Sequence, residues 1–111
     1  MKMLENHFVL AGSNFNRFLG QFLQQFPHAF SGSLSETEDG DSLDFHNLDQ
    51  ALALIDRLSG VAVLSLEFEL YKLFLMHDHE QDSVRLLLYA DHPSAESVFD
   101  ECSTLIQRVL G

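Results

Sequence analysis

The densest set of residues able to hold a metal or move a proton is His77-Asp78-His79-Glu80, with Asp82 just after it and His92 further on. Imidazoles two residues apart in an extended segment point to the same side, and neighbouring carboxylates could complete a zinc or nickel site. The same stretch lies where a hairpin needs a solvated turn, and its spacing matches no established ligand motif. The plain polar turn, His77 to Asp82, is the favoured reading. A transition-metal site at His77 and His79 is its rival, and no cofactor is implied.

Other chemistry has less to stand on. Ser31-Gly32-Ser33 lacks the Gly-x-Ser-x-Gly frame of a nucleophile elbow, and Gly12, Gly20, Gly32, Gly40, Gly60 and Gly111 are too scattered to cradle a phosphate. Cys102 is the lone cysteine, which excludes an internal disulfide and a cysteine-based zinc site. It falls at helical spacing between Phe99 and Ile106, so it reads as a buried small apolar residue and not as a reactive thiol. Glu67 and Glu69 share one parity of an extended run and could act as an acid pair; a solvated sheet face explains them more simply.

Charge carries the strongest signal. Acidic residues number 17 against 6 basic ones, a formal net charge of −11. No Lys or Arg stands between Arg17 and Arg57, while Glu36, Glu38, Asp39, Asp41, Asp44, Asp49 and Asp56 all fall in that interval. A surface of this sign repels nucleic acid and anionic membranes. It suits either simple solvation or docking onto a basic protein, where complementary charge speeds encounter. The candidate partner-binding residues are Glu36, Glu38, Asp39, Asp41, Asp44 and Asp49.

These residues must be held by elements that the hydrophobic pattern predicts. The chain has 111 residues, 46% of them hydrophobic, which fits one domain spanning 1–111 with a single core. Leu4–Leu10 reads as an N-terminal strand. Ser13 or Asn14 can cap a helix whose apolar stripe is Phe15, Phe18, Leu19, Phe22, Leu23 and Phe26, stopped by Pro27. Asn16, Arg17, Gln21, Gln24 and Gln25 fill its polar face. Ala29–Leu34 and Ser42–Phe45 form an acidic hairpin. Asn47 and Gln50 resemble a capping box for a helix through Leu48, Ala51, Leu52, Ile55 and Leu58, with Gly60 suited to the left-handed position beyond it.

Val61–Met76 reads as one long extended run. Its parity breaks at Lys72, which predicts either a bulge near Tyr71 or a strand covered on both faces. Val84, Leu86 and Leu88 then face one side of a returning strand. Ser94 caps a last helix bearing Val98, Phe99, Cys102, Leu105, Ile106, Val109 and Leu110. The expected architecture is α+β: an antiparallel sheet of two hairpins, plus the N-terminal strand, with three amphipathic helices packed on it. Acid, amide and imidazole stand where a signal peptide would be apolar, and the Val61–Met76 run is broken by Ser65, Glu67, Glu69 and Lys72. A cytoplasmic protein in a reducing compartment is expected.

Size, α+β plan, lone cysteine and acidic hairpin together resemble the small acidic immunity proteins of contact-dependent inhibition and related bacterial toxin systems. That resemblance implies an inhibitor that occludes the cationic active site of a toxin, most simply a nuclease, and it assigns no individual residue a role. The order of helix, strands, helix, strands, helix also resembles the dimeric type III secretion chaperones, which are likewise small and acidic. Those carry a three-stranded meander where this chain has a brief hairpin. A small metal-dependent enzyme built on His77 and His79 is the third class.

Overall fold

The computed structural model describes residues 2–10, 12, 14–37 and 40–111. Chain order is β1 (Lys2–Val9), α1 (Phe15–Gln25), β2 (Ser31–Ser35), β3 (Ser42–Phe45), α2 (Leu48–Arg57), β4 (Val63–Phe68), β5 (Tyr71–Asp78), β6 (Ser83–Ala90) and α3 (Ala95–Leu110). The strands form one antiparallel six-stranded sheet in the order β1-β6-β5-β4-β2-β3. This is the expected α+β architecture. The N-terminal strand is a full member of the sheet and forms one edge, while β3 forms the other.

Helix α1 follows directly from its sequence. The Asn14 side chain accepts the Arg17 N–H at 3.1 Å, and Phe15, Phe18, Leu19, Phe22 and Leu23 are all buried. Its rings continue as an aromatic file: Phe18, Phe22 and Phe26 lie 5.5–6.1 Å apart in sequence, and Phe26 meets Phe68 edge-on at 5.2 Å. The alternative cap, Ser13, lies outside the described residues. Asn16 departs from its predicted place on a solvated face. Its Nδ2 donates to the Ile55 and Leu58 carbonyls at 3.3 and 2.9 Å, and its Oδ1 accepts the Val61 N–H at 2.8 Å. One side chain on α1 thus satisfies the open C-terminal end of α2 and the turn after it.

At the start of α2, Asn47 accepts from the Gln50 N–H at 2.9 Å, but the Gln50 side chain reaches back to the His46 N–H instead of closing the box on Asn47. The helix ends with Leu58 in extended backbone, and Gly60 is not left-handed, contrary to expectation. The Asn16 clamp takes over the capping role that Gly60 was expected to fill.

The Val61–Met76 run is corrected outright. It is two strands, β4 and β5, folded back at Glu69-Leu70, with Phe68 opposite Tyr71 and Val63 opposite Met76. Glu69 supplies the left-handed residue of the turn at φ 39°. The parity break at Lys72 is therefore a change of strand and not a bulge. His77 and Asp78 belong to β5, so the following loop is shorter than predicted. Ser94 also departs from expectation: its hydroxyl meets the Tyr71 hydroxyl and His92 Nδ1, and makes no cap hydrogen bond to α3.

The helices cover one sheet face, where Leu34, Phe45, Leu64, Leu66, Leu73, Leu75, Val84, Leu86 and Leu88 join the buried residues of α1, α2 and α3. The opposite face bears no helix among the described residues. Its cross-strand row runs Glu5, Leu87, Phe74, Ser65, Ser33, Asp44.

Candidate functional site

The acidic stretch sits on the β3 edge of the sheet. Glu36, Asp41, Asp44, Asp49 and Asp56 are all exposed, whereas Glu38 and Asp39 lie outside the described residues. Asp44 stands on the helix-free face, opposite Ser33, and Asp49 lies in the first turn of α2, which packs on the other face. The acids therefore wrap around an edge and do not share a single plane. Glu36 accepts the Ser59 hydroxyl at 3.0 Å, tying the hairpin to the segment after α2. Ser35, buried at the start of the loop, bonds the Thr37 backbone and fixes its exit. Asp49 near the helix N-terminus is stabilised there by the helix dipole.

Basic residues are spent elsewhere. Lys2 pairs with Glu96 at 2.6 Å, Lys72 with Glu67 at 3.6 Å, and Arg85 with Glu5. The Lys2 hydrogen bond, reinforced by its charge, holds the Glu96 carboxyl below its usual range. Among the described residues, no ion pair neutralises Asp41, Asp44, Asp49 or Asp56. The described acids of the β3 edge thus form a field of one sign.

The histidine cluster is partly assembled. The rings of His77 and His79 approach to 4.1 Å between centroids, and His77 stacks on Phe15 at 5.0 Å. His77 Nε2 and Asp82 Oδ1 are 3.2 Å apart, but His92 stands at the far end of β6 beside Tyr71 and Ser94. Among the described residues, no three His, Cys, Asp or Glu side chains converge as metal ligands. His77 instead caps the core with its face and bonds the loop with its edge. Glu67 and Glu69 do not form a pair on one strand, since Glu69 belongs to the β4–β5 turn.

Cys102 is buried in α3, and that burial, aided by the Glu101 charge, pushes its thiol up from 9.0 to about 12. The unfolded chain ionises this thiol near 9 and the folded one near 12, so its protonation favours the fold below that window and the benefit is lost as pH rises through it. Native protein is expected to resist thiol alkylation at mildly alkaline pH and to react once unfolded. Rapid alkylation of the folded chain would show that Cys102 is accessible.

What sequence reasoning missed is the apolar content of the helix-free face. Phe74 and Tyr89 meet edge-on at 5.7 Å, and the Lys72 ammonium sits 5.3 Å over the Phe74 ring. Together with Leu70 and Tyr71 they line an open groove of about 790 Å³ at the β4–β5 turn. The unbroken runs Leu73-Phe74-Leu75-Met76 and Leu86-Leu87-Leu88 are its signals in the sequence, because a strand solvated on one face alternates. No helix among the described residues is long and apolar enough to cross a membrane. The chain matches no protein-family model, no curated protein and no solved structure, so the functional reading rests on these residues themselves.

Proposed function

We propose that this chain is a protein-binding inhibitor, most simply a bacterial immunity protein, whose acidic β3 edge docks into the cationic cleft of a toxin such as a nuclease. The carrying observation is that Asp44 on β3 and Asp49 on α2, with Asp41 just before β3, are exposed and have no basic partner among the described residues. A nuclease cleft must be cationic to hold phosphates, and an acidic edge that wraps two faces can enter it as a wedge. Such an inhibitor needs no catalytic group of its own.

The test pairs the chain with the product of the adjacent toxin gene and measures binding kinetics at low and high salt. Asp41→Asn with Asp44→Asn is expected to slow association about tenfold at low salt, and added salt should shrink the difference. Stability should change by less than about 0.5 kcal/mol, since both sites are exposed. If neutralising Glu36, Glu38, Asp39, Asp41, Asp44 and Asp49 together leaves rate and affinity unchanged in a folded protein, the acidic edge serves only solvation.

A further inference from the structure

We infer that β1 is a self-association edge, and that a second copy of this chain pairs antiparallel with it so that Asn6 lies on the two-fold axis. The two sheet edges are built differently. β3 has four residues and is guarded by acids, whereas β1 runs for eight residues without proline or bulge, in unbroken register from Lys2 opposite Ala90 to Val9 opposite Ser83. A long, regular edge strand is a template for another strand, and its polar residues Lys2, Glu5, Asn6 and His7 leave the backbone edge itself open. It also exposes Met3 and Val9, 52% and 72% accessible, and Met3, opposite Tyr89, extends the apolar content of the helix-free face to the margin of the sheet.

Backbone phase narrows the pairing. The Leu10 N–H donates to the Asp82 carbonyl at 2.9 Å, in line with the β1–β6 register. Even-numbered residues of β1 therefore turn their backbone groups toward β6, and Met3, Glu5, His7 and Val9 turn theirs outward. The His7 N–H confirms this phase: with no strand beside it among the described residues, it is satisfied by Asn6 Oδ1 at 2.9 Å. Outward groups at odd positions allow only registers that set odd residues opposite odd ones, which also keeps both copies' helices on the same side.

Among those registers, side chains decide. Centring on Glu5 would set two carboxylates against each other and Met3 against His7. Centring on Asn6 sets Glu5 opposite the second copy's imidazole at position 7, Met3 opposite valine and Leu4 opposite phenylalanine, each twice by symmetry. Net charge does not oppose this contact locally. Lys2–Glu96 and Arg85–Glu5 balance the β1 edge, and Asp41, Asp44 and Asp49 stand at the opposite one. The inference is independent of the inhibitor reading, because docking uses β3.

Sedimentation over a dilution series is expected to give a species of twice the 12.6 kDa chain mass. Met3→Lys with Val9→Lys should convert it to monomer while the circular dichroism spectrum stays the same. Oxidative cross-linking then reads the register. Asn6→Cys should form a symmetric disulfide readily, since facing non-hydrogen-bonded positions lie about 4.5 Å apart. Val9→Cys, though more exposed, should not, because its two copies would stand about 20 Å apart. A monomer at every concentration, a dimer that survives the double lysine variant, or cross-linking of Val9→Cys as fast as Asn6→Cys would each overturn the inference.

Discussion

Gly32→Ala is expected to destabilise the protein by about 3 kcal/mol or more. Gly32 lies within β2 between Phe45 on β3 and Leu66 on β4, so its backbone is bonded into the sheet on both sides. A methyl group added there would run into the Ser65 carbonyl oxygen and stand 3.0 Å from the Phe45 ring. The first contact is with backbone, which cannot rotate away as a side chain end would. Either β2 separates from β4 or the whole β2–β3 hairpin shifts. Denaturant unfolding measures the loss, and amide exchange locates it, with faster exchange expected in β2 and β3 than in β5 and β6. A change below about 0.5 kcal/mol would mean that the close approach at Ser65 does not exist. Since the acidic edge rides on this hairpin, the variant should also weaken partner binding without removing any charge.

Phe22→Ala should cost about 3–5 kcal/mol. Its ring is fully buried, midway along the aromatic file, 6.1 Å from Phe18 and 5.5 Å from Phe26. Phe18 is held on the same helix and Phe26 on the residue that ends it, so they cannot close the gap without bending α1 or moving its exit. Truncation therefore leaves a cavity and removes both tilted ring contacts as well. Equilibrium unfolding in urea gives the value directly, and a loss under about 1 kcal/mol would show that α1 can slide to refill the space. The contrast with Asp41→Asn and Asp44→Asn is the useful control. Those substitutions are expected to leave stability unchanged and act only on association, which separates the residues that hold the edge in place from those that meet a partner.

Much of this architecture is written locally. The stripe Phe15, Phe18, Leu19, Phe22, Leu23 repeats at helical period, and each residue of it is buried. Asn14 and Asn47 cap α1 and α2 because a short polar side chain can reach an amide three residues on, whatever lies around it. The acidic hairpin could be placed from its glycine and its charges, although Glu38 and Asp39 within it lie outside the described residues. Cys102 could be placed from its spacing, and its burial in α3 accords with that.

Other features had no local signature. The Glu69-Leu70 turn contains neither glycine nor asparagine, so β4 and β5 looked like one strand until pairing folded them together. Asn16 looks like any polar residue on a helix surface; it becomes a clamp because α2 ends against it, 42 residues away along the chain at Leu58. Strand order is of the same kind. Periodicity says which side of a strand is apolar, but only packing decides that β1 pairs with β6, that β3 ends the sheet, and that the two edges face opposite directions with different charge. Helices and tight caps arise from neighbours in sequence and can be read there. Edges, clamps and faces arise from contacts across long loops, whose partners are chosen by how the whole core closes.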